Sequence, residues 1–307
     1  MHIRIATRKS QLAVWQAEHV ASLLEGLDAV DSVELVRLST RGDEILDRSL
    51  QKIGGKGLFI KELEVAMQED RADLAVHSMK DVPAEMPDGF CIAAILERAS
   101  HADALVSGGV PFADLREGAV VGSSSLRRQA QLRAMRPDLD IRPLRGNVNT
   151  RLAKFDAGEF DAIILAAAGL ERLGMGERIT ARFGVDEMLP AASQGVIGIE
   201  CLESRSDLRG VLAALDHEPT VRTTLAEREV ARALDASCQS PVAAHATIAG
   251  GTLSLTGLAA LPDGSEVIRT SSSGDPADAV GIGAAVARGL AEQGVEALLE
   301  RARQMTE

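Results

Sequence analysis

Over the first two-thirds of the chain, short apolar runs alternate with stretches whose apolar residues recur at helical spacing. His2–Thr7 predicts a strand, and Ser10 is a suitable N-cap for a helix that reaches Leu27. Val33–Thr40 predicts a second strand, followed by a polar, glycine-rich stretch from Arg41 to Gly57. Phe59, Ile60, Leu63 and Met67 then fall at helical spacing, and Leu74–Ser78 reads as a short buried strand. Phe90–Leu96, Ala104–Ser107, Val120–Gly122, Ile141–Leu144 and Ala162–Ala166 continue the strand series, mostly with helical patterns between them. Such alternation predicts open, mostly parallel sheets covered by helices, an α/β class. The run is too long for one compact unit, so more than one sheet is expected.

Near residue 217 the pattern changes. A long charged helix fits Pro219–Leu234, with proline well placed at its start. Three strand-like stretches follow, Ala243–Ala249, Thr252–Ala259 and Glu266–Ser272, the last two joined by a turn at Pro262-Asp263-Gly264-Ser265. A final helical region covers Ala277–Arg303. Strands grouped together and then a helix predict a small α+β domain. No internal repeat is evident.

Composition narrows the function classes. The chain has 307 residues and a formal net charge of −12, with 46% apolar but only 2% aromatic residues. Its core is therefore aliphatic. An acidic chain with one Trp and no Tyr lacks both the cations and the stacking surfaces that nucleic-acid binding needs. The N-terminal MHIRIATRKSQLA has no apolar signal run, and the apolar stretch at Ala162–Leu170 is too short to span a bilayer. Three cysteines do not make a disulfide framework, and the six histidines form no metal-binding pattern. These features predict a soluble cytoplasmic protein with no metal, no membrane and no nucleic-acid partner.

Against the acidic background one segment reverses sign. Residues 122–151 hold Arg127, Arg128, Arg133, Arg136, Arg142, Arg145 and Arg151 against Asp138 and Asp140, a local balance of +5. Every cation is arginine, whose planar fork matches carboxylates or phosphates with two bonds. Arg127, Arg128 and Arg145 follow predicted strands, as does Arg8, and ligand crevices of open α/β sheets lie beyond the carboxyl ends of strands. This placement points to an anionic ligand, whereas Arg133 and Arg136 suit a solvated helix face.

Other segments leave two readings open. Leu74-Ala-Val-His-Ser-Met-Lys-Asp-Val-Pro83 delivers Ser78, Lys80 and Asp81 from a buried strand into a loop. A carboxylate beside a cation there can steer protons or stabilise a cationic intermediate, or it can simply bond its own turn. Gly54-Gly55-Lys56-Gly57, with Lys52 nearby, is not a Walker motif and suits either a mobile flap or an exposed loop. Cys91 and Cys201 sit in apolar runs, whereas Cys238 lies in a polar loop, the one thiol placed to react.

Together these segments resemble the porphobilinogen deaminase (hydroxymethylbilane synthase) family. The resemblance runs over essentially the whole chain through IATRKSQLAVWQA, LSTRGD, GGKGLF, AVHSMKDVP, GSSSLRRQAQL, LRGNVNTRL, DAIILAAAGLERL, LPAASQGVIGIE and SCQSPVAAHA. It implies an enzyme that joins four porphobilinogen molecules head to tail, releases ammonia at each step and frees hydroxymethylbilane by hydrolysis. It implies a dipyrromethane cofactor held through a thioether at Cys238. Asp81 would contact pyrrole nitrogens and stabilise the positive charge left by deamination. Arg8, Lys80, Arg127, Arg128, Arg145, Arg151 and Arg172 would bind acetate and propionate side chains. Ser10, Ser78 and Ser125 would add hydrogen bonds, Gln194 would lie near the cleft, and Lys52 and Lys56 would sit on a mobile loop.

The implied fold has two similar α/β domains resembling periplasmic binding proteins, 1–95 with 196–213 and 101–190, with a cleft between them. A small α+β domain, 218–307, carries the cofactor loop, and the family is monomeric. Two positions depart from the pattern: Ala236-Ser237 replaces glycines that often precede the attachment cysteine, which bears on loop conformation, and Asn149 replaces a small residue, which bears on local packing. A non-catalytic two-lobed anion-binding protein would share the fold and the arginines, but it gives Cys238 and the C-terminal domain no task.

Overall fold

The computed structural model describes residues 1–39, 60–237 and 239–306. In chain order they form β1 (His2–Arg8), α1 (Gln11–Glu25), β2 (Ser32–Leu38), α2 (Lys61–Gln68), β3 (Leu74–Ser78) and β4 (Phe90–Ile95). Next come β5 (Asp103–Val106), β6 (Val120–Gly122), α3 (Leu126–Met135), β7 (Asp140–Arg142), α4 (Val148–Asp156), β8 (Ala162–Ala166), α5 (Ala167–Arg172) and β9 (Ala181–Arg182). The rest comprises β10 (Ile197–Leu202), α6 (Ser206–Leu212), α7 (Glu218–Ala233), β11 (Val242–Ala249), β12 (Thr252–Ala260), β13 (Val267–Gly274), α8 (Ala279–Glu292) and α9 (Val295–Gln304). The chain divides into two compact units, Met1–Ala99 with Val196–Val221, and Ser100–Gly195 with Arg222–Glu307.

The first unit is built on a sheet of order β2-β1-β3-β10-β4. β1 runs parallel to β2 and β3, whereas β10 is antiparallel to both β3 and β4. The sheet is therefore mixed where the sequence pattern predicts mostly parallel pairing. The returning β10, in the 196–213 stretch that the resemblance assigns to this domain, makes the difference by running against its neighbours. Alternation along the strands sends Ile3, Ile5, Leu74, Val76, Ile197 and Ile199 to one face, where they pack on Ala17, Val20 and Leu24 of α1 and Leu208 and Leu212 of α6. Ala6, Ala75 and Phe90 pack on Leu63, Ala66 and Met67 of α2.

Two devices fix the register of β10. Arg205, just past its end, donates to Asp73 at 2.9 Å, and Arg4 of β1 donates to the same carboxylate at 3.0 Å. Burial pushes the Asp73 carboxyl up, but its bonds from Arg4 and Arg205 outweigh that and hold it at about 2. Gly198, opposite His77 of β3, is the second device. A Cβ there would overlap Met79 Sδ and Cγ, so glycine is what lets the buried Met79 lie against the strand.

In the second unit one sheet has the order β7-β6-β8-β5-β9, with β6, β7 and β8 parallel and β5 antiparallel to β8 and β9. Leu105, Val121, Ile141 and Ile164 pack on Leu132 of α3, while Ala104, Val106, Ile163 and Leu165 pack on Leu152 of α4 and Leu170 of α5. The order repeats that of the first sheet, with three parallel strands followed by an antiparallel one. The other sheet is the antiparallel meander β11-β12-β13, covered by Ala226 and Val230 of α7, Ile282, Val286 and Leu290 of α8, and Leu298 and Leu299 of α9. The helical region expected over Ala277–Arg303 is broken at Gly294, whose φ of 84° ends α8 and starts α9.

Arg133 and Arg136 depart from the solvated helix face expected of them. Arg133 donates to the carbonyl of Pro262 at 2.6 Å, and Arg136 pairs with Asp138 and donates to Leu115 O at 3.0 Å. Both pin neighbouring chain to α3.

Gly198→Ala is expected to lower unfolding free energy by about 1–3 kcal/mol, the usual cost of overpacking a filled core. Equilibrium urea denaturation checks this, and a change under about 0.5 kcal/mol would mean that Met79 has room to move.

Candidate functional site

Beyond the carboxyl ends of the parallel strands lie most of the residues singled out from the sequence. In the first unit, Arg8 closes β1 and Ser10 caps α1, its hydroxyl accepting from the Ala13 amide at 3.4 Å. Ser78 ends the neighbouring β3 and accepts from Gln16 Nε2 of α1 at 2.8 Å. Met79, Lys80 and Asp81 form a single 3₁₀ turn, in which Met79 is buried and Asp81 is exposed. Among the described residues no hydrogen-bond or ion-pair partner holds the Asp81 carboxylate, so it does not bond its own turn. A buried pair lies under this turn: His77 Nε2 is 2.7 Å from Glu200 Oε2 of β10. Burial raises the nearby Glu64 carboxyl, and the Glu200 charge raises it further.

In the second unit the arginines divide by environment. β6, β7 and β8 are parallel, so the segments after Gly122, Arg142 and Ala166 emerge at one edge of the sheet. Asp103, first residue of the antiparallel β5 and paired with Ala166, lies at that same edge. Ser125 caps α3, and Arg127 and Arg128 on its first turn point back onto Asp103. Arg127 Nη1 is 2.6 Å from Asp103 Oδ2 and Arg128 Nη2 is 2.6 Å from Oδ1, all three side chains being buried. Arg127 also donates to Leu189 O at 2.8 Å and Arg128 to Ile164 O at 3.0 Å. Burial pushes the Asp103 carboxyl up, but the two guanidinium charges outweigh it and hold the carboxyl far below its ordinary range. These two arginines, read from the sequence as ligand-facing, already share a carboxylate of the chain itself. The trio still carries one surplus positive charge.

The remaining cations are placed differently. Arg145 is half-buried, and among the described residues it has no hydrogen-bond or ion-pair partner. Arg151 donates from Nε to Gly146 O at 2.8 Å, across the turn that Asn147 closes by capping α4. Arg172, at the end of α5, donates to Gly195 O at 2.8 Å. Burial lowers its pKa to about 10, with Glu171 opposing, as expected of a guanidinium held out of water. Gln194 is fully buried and gives its Nε2 hydrogens to His101 O at 2.7 Å and Asp103 Oδ1 at 3.1 Å. Among the described residues its Oε1 accepts nothing. The structure thus brings Arg127, Arg128 and Gln194 together around Asp103, links Arg172 to the same turn, and leaves Arg145 and Arg151 on a separate loop.

Lys52, Lys56 and Cys238 lie outside the described residues. α7 ends in a Schellman motif, with Ala236 N–H bonded to Ala231 O at 2.8 Å and Asp235 at φ 45°. The left-handed residue is therefore Asp235, and Ala236 and Ser237 need no positive φ. Ser240 N–H bonds Ser237 O at 2.9 Å. The other thiols are the apolar fillers the sequence suggests: Cys201 is buried, sits opposite Cys91, and is pushed up to about 12 by burial and then by Cys91. Among the described residues no three His, Cys, Asp or Glu side chains group to hold a metal ion.

A half-buried Arg145 with no partner among the described residues, on the segment that follows β7, can pair with a carboxylate. A profile described as "Porphobilinogen deaminase, dipyromethane cofactor binding domain" matches residues 3–210, and one described as "Porphobilinogen deaminase, C-terminal domain" matches residues 221–292. The chain belongs to the porphobilinogen deaminase family. It is similar to the porphobilinogen deaminase of Chromobacterium violaceum, 55% identical over 299 residues and covering 97% of this chain and 96% of the relative. That of Bordetella parapertussis is 52% identical over 298 residues, covering 97% and 95%. Among solved structures, the BvgS periplasmic VFT2 domain of Bordetella pertussis aligns with a TM-score of 0.40 at 14% identity, over 69% of this chain and 85% of that one. A TRAP periplasmic solute binding protein from Desulfovibrio salexigens gives 0.41 at 13% identity, over 70% and 72%.

Asp103, His77 and Glu200, buried beside residues singled out from the sequence, escaped the sequence reading. The available signal was a charge inside an apolar strand, as in ADALV and VIGIECL, since such a charge must be paired when buried.

Asp103→Asn is expected to cost about 3–5 kcal/mol at pH 7, the usual penalty for stranding buried partner charges. Because the folded carboxyl is depressed, its contribution is present at neutral pH and lost as pH falls below about 4. Urea denaturation from pH 7 down to 3 is therefore expected to show the gap between variant and wild type narrowing. A gap that stayed constant would count against the ion cluster.

Proposed function

We propose that this enzyme joins four porphobilinogen molecules head to tail, releasing ammonia at each step, and frees hydroxymethylbilane by hydrolysis. The observation that supports this best is Arg145, a half-buried guanidinium that follows β7 and has no hydrogen-bond or ion-pair partner among the described residues. Each pyrrole unit carries an acetate and a propionate, so a lengthening product gathers negative charge that needs such a lining.

In this reading the dipyrromethane cofactor, held by a thioether at Cys238, supplies the pyrrole α-carbon on which the product is assembled. Arg145, Arg151 and Arg172 pair with incoming carboxylates, with Arg8 and Lys80 doing so in the first unit. Arg127 and Arg128 act through the surplus charge of their cluster. Ser10, Ser78 and Ser125 stand at strand ends and helix caps, where a hydroxyl can give its hydrogen to a carboxylate while its oxygen stays occupied. Gln194, fully buried, orders the turn beside the Asp103 cluster through its Nε2.

Asp81 is the group assigned to the chemistry. Ammonia departs with the electrons of the C–N bond, which leaves positive charge on the pyrrole and its methylene. A fixed carboxylate opposite that charge lowers the barrier. The buried His77–Glu200 pair and Met79 hold the turn that presents it. Lys52 and Lys56, outside the described residues, are assigned to binding the acidic side chains. The reading carries with it a monomeric, cytoplasmic enzyme; no described helix is long and apolar enough to cross a membrane.

Intact mass of the purified chain is expected to exceed the sequence mass by two pyrrole units, and Cys238→Ser is expected to lose both that addition and turnover. A fully active unmodified chain would sink the tether. Asp81→Ala is expected to cut kcat by roughly 10²-fold or more with an unchanged melting curve, and near-normal turnover would remove its role.

A further inference from the structure

Glu227 of α7 is fully buried, and both of its carboxylate oxygens are engaged by backbone. Oε2 accepts the Ser193 amide at 2.6 Å, and Oε1 accepts the Ala246 amide of β11 at 2.8 Å. The His245 ring stands 3.4 Å from Oε1 and stacks on His101, centroids 4.2 Å apart.

The turn held in this way is strained. Ser193 has φ 61°, a left-handed conformation unusual for a residue with a Cβ, and Gly195 follows with φ 88°. Between them Gln194 reaches the His101 carbonyl and Asp103, and the Gly195 carbonyl receives Arg172. Pro190, before the turn, accepts from the Ala244 amide of the same β11 at 3.2 Å. A side chain with two acceptor oxygens is required at 227, because two N–H groups converge on it; a glutamine would offer one oxygen and turn its NH₂ against the other amide.

We propose that Glu227 is a positioning residue for porphobilinogen binding. By bridging the Ser193 and Ala246 amides it keeps the 193–195 turn in the left-handed form that aims Gln194 and sets Arg172. It touches no substrate and acts through Arg172, which the Gly195 carbonyl of that turn holds, with Gln194 tying the turn to Asp103. This rests on the assignment of Arg172 to the binding site.

The test is steady-state kinetics of cofactor-loaded Glu227→Gln, normalised to the loaded fraction by intact mass. KM for porphobilinogen is expected to rise tenfold or more, while kcat stays within threefold of wild type. A KM within threefold of wild type, whatever the melting temperature, would overturn the proposal, since a purely structural loss lowers the amount of folded enzyme and not its affinity. Arg172→Leu run alongside separates the two failures: an unchanged KM there removes the site assignment itself, whereas a raised KM there with an unchanged one in Glu227→Gln removes only the role of Glu227. Hydrogen exchange on the wild-type holoenzyme covers the case in which the variant does not fold. The Ser193 and Ala246 amides are expected to exchange as slowly as those of β12, and exchange of the Ser193 amide at exposed-loop rates would overturn the proposal.

Discussion

One buried carboxylate organises the second unit. Asp103 sits at the head of β5, where the parallel strands open, and it is fully removed from water. Such a charge is tolerable only because two guanidiniums and the Gln194 amide converge on it. The same bonds fix α3 against β5, and through the Leu189 and Ile164 carbonyls they fix the neighbouring chain as well. What the carboxylate cannot do is neutralise two cations. Arg145, by contrast, has no such partner among the described residues.

The first unit solves a different problem, which is to present an exposed acid on a rigid support. Asp81 ends a single turn that leaves β3, and β3 is flanked by β1 on one side and the returning β10 on the other. From β10 come Glu200 to bind His77 and Gly198 to make room for Met79, while Arg205, just past its end, locks Asp73. Segments far apart in sequence thus fix the residue assigned to the chemistry, whereas the acid itself stays open to an incoming cation. The two sheets share one strand order, and in each one strand runs against the parallel set, β10 from a distant part of the chain in the first and β5, just ahead of β6, in the second.

Much of the local structure was legible because burial on a sheet leaves a strong imprint. Leu74–Ser78, Val120–Gly122 and Ala162–Ala166 are strands to the residue, and Ser10 caps α1 as its type and position suggest. What was missed concerns partners. β10 contains a glutamate within an apolar run, and its partner His77 lies 123 residues away. Asp103 looked like the residue before a strand, and its value depends on α3 folding back over it. Arg133 and Arg136 look like any exposed helix cations until the carbonyls of Pro262 and Leu115 are brought to them.

By itself the sequence determined the elements, the aliphatic core and the chemical kind of the ligand, because periodicity, composition and residue type are local quantities. Segments such as HSMKD and SSLRR carried the family with them. Only the tertiary structure decided which charges are paired within the protein. Arg127 and Arg145 are the same residue type, each following a strand, yet one is consumed by Asp103 and the other is not. That difference is set by desolvation and by the approach of distant carboxylates, and neither is written in the spacing of residues along a chain.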